Sequence, residues 1–145
     1  MKRLLTLLTV VMLMATAAFA DTLTFNWTVE EGVPDHIVFH HKAWTQGQTA
    51  QQFIEGTGFT DIEVPATSPA TFEISYPPGT EYGIWAELFD AGGNSVVFMD
   101  STYGSLSPTV WKITSMPQIG DAHEVVVTPN TTGDIKITIN INQSR

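Results

Sequence analysis

The stretch from Tyr76 to Asn94 constrains the fold more tightly than any other part of the chain. Pro77, Pro78 and Gly79 cannot occupy the middle of a paired strand, because proline lacks the amide donor and glycine suits turn dihedrals. The chain must turn there and re-enter a strand at Glu81. Apolar residues then fall at Tyr82, Ile84, Ala86 and Leu88, with Gly83, Trp85 and Glu87 between them. That period of two predicts a strand with one buried and one open face. Asp90-Ala91-Gly92-Gly93-Asn94 supplies a hairpin loop, and Ser95 to Met99 the returning strand.

The rest of the chain carries the same signature. Leu23, Phe25, Trp27 and Val29 alternate with Thr22, Thr24, Asn26 and Thr28. Further strands are expected at about residues 36–44, 59–64 and 70–76, then at 109–114, 124–128 and 135–141. Pro65, Pro69, Pro108, Met116-Pro117, Pro129-Asn130 and Thr132-Gly133 separate them. The glutamine-rich segment Gln46–Glu55 reads as a long loop or as a short helix capped near Thr49. Short strands with regular turn signals predict an all-β antiparallel sandwich.

Met1 to Ala20 has the form of a secretory signal peptide. Lys2 and Arg3 precede an apolar run from Leu4 to Met14, and Ala18-Phe19-Ala20 is a small-x-small cleavage motif before Asp21. The mature chain then holds Lys42, Lys112, Lys136 and Arg145 against fifteen acids, a net charge of −11. Such a surface repels phosphate backbones and anionic lipid, which argues against nucleic acid and membrane-surface partners. No second long apolar run follows, so no membrane span is expected after signal cleavage. The chain has no cysteine, so a sandwich in an oxidising compartment must be held by packing alone. These features point to bacterial export, to the periplasm, the cell surface or the medium.

Pro78-Gly79-Thr80-Glu81-Tyr82, followed by Ile84, Ala86, Leu88 and Asp90…Gly93-Asn94, resembles the end of a fibronectin type III domain, an immunoglobulin-like sandwich. Leu23 to Thr28 resembles the second strand of that family, with Trp27 as core anchor, and Ile37 to Lys42 falls at the third. The resemblance implies a tyrosine corner at Tyr82, whose hydroxyl reaches back to upstream backbone. It covers about residues 22–100 and leaves no room for the first strand of the family. The expected organisation is therefore a signal peptide over 1–20 and a fibronectin type III-like core over 21–104. About three additional C-terminal strands, over 105–145, pack on the same sandwich.

Candidate sites are few. His36 and His40 share a strand face but lie ~13 Å apart at ~3.3 Å per residue, and His41 points the other way, so no metal site is expected. Asp90 and Asn94 offer too few oxygens for calcium. No nucleophile elbow, phosphate loop or cofactor motif is present, and the chain is expected to be no enzyme. Trp44, Trp85 and Trp111 are the candidate ligand or partner contacts, suited to sugar stacking or to a protein interface. The other fate open to them is a second core beneath the three C-terminal strands. Ile135, Ile137, Ile139 and Ile141 share one face and must be covered. They either complete this sandwich, in place of the missing first strand, or form an assembly strand lent to a neighbouring subunit. The function expected is a non-catalytic module for protein interaction or surface structure, with carbohydrate binding and filament assembly as alternatives.

Overall fold

A computed structural model of the chain describes residues 20–100, 107–115, 122–127, 130–131 and 135–144. The expected signal peptide up to Phe19 and the Met116-Pro117 and Thr132-Gly133 separators lie outside these residues. The strands are β1 (Ala20–Glu31), β2 (Pro34–Ala43), β3 (Thr60–Pro65), β4 (Ala70–Ser75), β5 (Glu81–Asp90), β6 (Ser95–Asp100), β7 (Ser107–Pro108), β8 (Trp111–Thr114), β9 (Ala122–Val127), β10 (Asn130–Thr131) and β11 (Lys136–Ser144). A single short helix among the described residues, α1 (Ala50–Glu55), lies between β2 and β3.

These elements form an all-β antiparallel sandwich. Sheet one has the order β4-β1-β11-β9; sheet two has the order β10-β6-β5-β2-β3, with β7 on β6 and β8 on β5. β2 lines one edge of β5 from Tyr82 to Asp90. The other edge is divided. β6 pairs with Glu87 to Phe89, and β8 with Glu81 to Ile84. The β5–β6 ribbon therefore opens like a fork, and β7–β8 fills the gap.

The alternation read from the sequence places the core. Leu23, Phe25 and Trp27 face inward from β1, and Tyr82, Ile84, Ala86 and Leu88 from β5. Phe25 lies at the centre, with ring centroids 4.5 Å from Phe39, 5.4 Å from Phe72 and 5.8 Å from Trp111. β11 runs antiparallel to β1, with Phe25 opposite Ile141, Trp27 opposite Ile139 and Val29 opposite Ile137. Ile135, Ile137 and Ile141 are buried in the core of their own chain. β11 occupies the edge of β1 that β4 leaves open.

The turns follow their sequence chemistry. Gly79 has φ +76°, and the Thr80 amide donates to Pro77 O at 3.0 Å, closing the proline turn. Ser115, fully buried, seals it by donating to Pro77 O and accepting from the Thr80 amide. At the other end the Asp90 carboxylate accepts from the amides of Gly92 and Asn94 and from the Asn94 side chain. Those donors hold the Asp90 carboxyl below its ordinary range.

One polar cluster ties the layers together. The fully buried Asp21 carboxylate accepts from the Tyr82 hydroxyl at 3.0 Å and from Gln143 Nε2 at 2.8 Å. Gln143 Nε2 also donates to Thr114 O at 2.9 Å. The tyrosine hydroxyl, expected to reach upstream backbone, thus donates to an upstream side chain. Removing one donor leaves a buried acceptor short of a partner, a loss of about 1–3 kcal/mol. Tyr82→Phe and Gln143→Leu should each lower stability by that amount in urea titrations. The triple variant with Asp21→Leu should lose less than the sum, because no polar group is then stranded.

Candidate functional site

The outer face of sheet two gathers most of the aromatic residues that the core does not use. β2 and β5 are in register there, with His40 opposite Trp85 and Lys42 opposite Gly83. Across β2, His40 stands opposite Asp61 of β3. Residues 45–59, a strap that includes α1, lie over this face.

The strap is held by a few specific contacts. α1 starts with a capping box: the Thr49 hydroxyl accepts from the Gln52 amide, and the Gln52 side chain accepts from the Thr49 amide. Its one buried residue, Phe53, is fully enclosed. Gly83 makes the seat, since a Cβ there would stand 2.6 Å from Phe53 Cζ. A glycine inside an alternating strand marks such a close approach. Lys42 Nζ lies 4.0 Å from the Phe59 ring centroid and 4.9 Å from that of Phe53, and donates to Thr57 O at 3.3 Å. The cation is satisfied by two ring faces and a carbonyl.

Trp44 and Trp85 sit at the two ends of this aromatic group. Trp44 stacks on Phe53 with centroids 5.0 Å apart, and Lys112 Nζ lies 5.3 Å from its ring. Lys112 also pairs with Glu81 at 3.0 Å. Trp85 stacks on His40 at 4.3 Å and meets Phe59 edge-on at 6.3 Å. His40 Nδ1 faces Asp61 Oδ1 at 2.7 Å, and its Nε2 faces Glu87 Oε2 at 3.0 Å. Only the doubly protonated ring donates to both carboxylates at once. The Trp85 indole N–H is buried without a partner among the described residues, as are the Trp111 N–H and the Thr109 hydroxyl.

The three candidate tryptophans therefore part company. Trp44 and Trp85 share the outer face and are half-buried. Trp111 is only 7% exposed and packs in the core, edge-on to Phe25 and Phe98. The reason is register: β8 joins β5 edge to edge, and Trp111 pairs with Ile84, an inward position. The cover over Trp85 also differs from the expected one. It is the strap, not the C-terminal strands, which extend the sheets sideways. Phe53 and Gly83 were legible only as one of three apolar residues, with Ala50 and Ile54, in a polar segment and as a glycine between Tyr82 and Ile84.

The histidines are spread out. His36 stacks on Phe89 at 4.5 Å and faces Asp35. His41 lies on the inner side of β2, where its Nδ1 meets the Tyr76 hydroxyl at 3.1 Å. Among the described residues no group of three or more His, Cys, Asp or Glu is placed to hold a metal ion. Among the same described residues no helix is long and apolar enough to cross a membrane.

Two predictions follow from these contacts. Phe53→Ala should release the strap and shift tryptophan emission to longer wavelength as water reaches Trp44 and Trp85. If emission is unchanged, Phe53 does not hold the cover. Burial pushes the His41 pKa below its ordinary 6.5, with the nearby Asp61 charge partly opposing it. The unfolded chain then takes up a proton first as pH falls, so stability should decline from pH 6.5 downward until the folded state is protonated too. Thermal melts from pH 7.5 to 5 should show a steeper loss for the native chain than for His41→Gln.

Comparison with known protein-family models, curated proteins and solved structures gives no match to this chain.

Proposed function

We propose that the chain is an exported bacterial, non-catalytic sandwich of fibronectin type III-like build that acts by contact with a protein partner. The strand order supports that build. β1 pairs with β4 and β11 in one sheet and β2 with β5 and β3 in the other. That order is compatible with β1 and β2 as the second and third strands of that family and β11 in place of a first, although the Tyr82 hydroxyl donates to the Asp21 side chain rather than to upstream backbone. Assembly by lending β11 would then be a domain swap, exchanging a pairing that the single chain already makes.

The outer face of sheet one carries the functional reading. Thr22, Thr24, Asn26 and Thr28 of β1 alternate outward, beside Thr71 and Ser75 of β4 and Asn142 and Ser144 of β11. Glu73 lies within that array, Glu30 continues the outward series of β1, and Glu124 is in register with Asn142. On a mature chain of net charge −11, the outward run from Thr22 to Thr28 with its neighbours Thr71, Asn142 and Ser144 is uncharged, which lowers the repulsion that keeps acidic surfaces apart. It offers hydroxyl and amide groups of both hydrogen-bonding senses, with no aromatic ring among its described residues, so it suits a polar protein contact better than sugar stacking. A glycan reading through Trp44 and Trp85 is weaker, because Phe53 and His40 already stack on those rings.

The test is a pair of outward substitutions, Asn26→Arg and Thr28→Arg, which should leave stability within about 0.5 kcal/mol. Envelope and secreted proteins that co-purify with the native mature chain should be lost with this variant. Light scattering would report self-association in the same way. A partner retained equally by both chains would sink this reading, and quenching by glycans would redirect it to the tryptophan face.

A further inference from the structure

The Ala20–Asp21 bond, where the small-x-small motif ends, lies inside the folded sheet. β1 starts at Ala20, with Ala20 opposite Ser75, Asp21 opposite Ile74 and Thr22 opposite Glu73. Asp21 has no exposed surface. Its side chain is held by the Tyr82 hydroxyl from sheet two and by Gln143 from β11. Proteases bind substrates as extended strands, with the residue on each side of the cut in a subsite. A residue that is paired in a ladder and fully enclosed can enter such a site only after its strand has opened.

We infer that Ala20–Asp21 is a processing site closed by folding: a leader peptidase hydrolyses it while β1 is unpaired, and in a chain that folds uncut the burial of Asp21 against Tyr82 and Gln143 shuts it. This rests on the export reading above, which supplies the leader. The reaction is ordinary amide hydrolysis. Water adds its hydroxyl to the Ala20 carbonyl carbon, the C–N bond breaks, and the nitrogen of Asp21 takes the proton. At neutral pH the products are an Ala20 carboxylate and an Asp21 α-ammonium. The new terminus belongs to the residue that also carries the buried carboxylate, so the step that frees the chain also creates the first residue of the core. Processing and packing are thereby ordered in time.

The experiment uses the full 145-residue chain and a purified bacterial leader peptidase in detergent. The peptidase is either present when urea-unfolded chain is diluted into native buffer, or added after refolding is complete. Products are identified by intact mass. Cleavage at Ala20–Asp21 should be about tenfold or more slower after refolding, because cutting then tracks the small population of opened strand. Gln143→Leu, which removes one donor to Asp21, should restore part of the lost rate. Equal rates for unfolded and refolded chain would overturn the inference while leaving the leader reading intact. Absence of cleavage at this bond in either arm, with a control preprotein cut normally, would overturn both.

Discussion

The structure depends on how one buried carboxylate is satisfied. Asp21 faces into the end of the sandwich with no exposed surface, a position that costs several kcal/mol unless its oxygens find donors. The donors come from opposite layers: Tyr82 on β5 of sheet two, and Gln143 on β11 of sheet one. Through its second bond to Thr114 O, Gln143 also engages β8. Three strands from two sheets thus meet at the Asp21 carboxylate, and Gln143 links a fourth, in a chain that has no cysteine to cross-link them. Such a contact is directional, where apolar packing is not. A slip of β11 by one residue would turn Gln143 to the solvent face and strand the carboxylate, so the cluster selects register as well as adding stability.

Much of this was legible in the chain. Alternation located β1, β4, β5 and β11 and most of their inward residues, since a period of two leaves little choice of face; Val29, which the same series would bury, is exposed near the end of β1. Pro77-Pro78-Gly79 and Asp90 to Asn94 announced both turns, and Thr49 the cap of α1. What the sequence could not convey is which edges meet. Trp111 read as a possible surface residue, because nothing local says that β8 enters the fork between β5 and β6 and inherits the inward parity of Ile84. Asp21 escaped notice for a related reason. Beside a cleavage motif it looks like a solvated terminal charge, yet it continues the inward series of Leu23, Phe25 and Trp27.

The two outer faces are treated in opposite ways. On sheet two, Gly83 gives up a side chain so that Phe53 can close over the strand, and rings and cations are satisfied among themselves. On sheet one the outward residues are mostly small hydroxyls and amides, with Glu73 and Glu30 among them, and the described chain places no strap over them. Among the described residues the large hydrophobic side chains left exposed are Val29 and Val33. The described surface is therefore mostly polar on sheet one and mostly enclosed aromatic on sheet two.

The pairing of β1 with β11 has a kinetic consequence. The residues joined at Asp21 and Gln143 are 122 positions apart, so the first strand to emerge from any N-to-C delivery waits for the last. Until β11 arrives, one edge of β1 and its inward Leu23, Phe25 and Trp27 stay uncovered on that side. Closing so long a loop is an entropic step that local contacts cannot shorten, and folds dominated by such pairings cross their barrier slowly. During that interval the exposed edge is open to pairing with other chains. The chain is thus most open to mispairing along β1 before β11 arrives, a vulnerability that the finished sandwich no longer has.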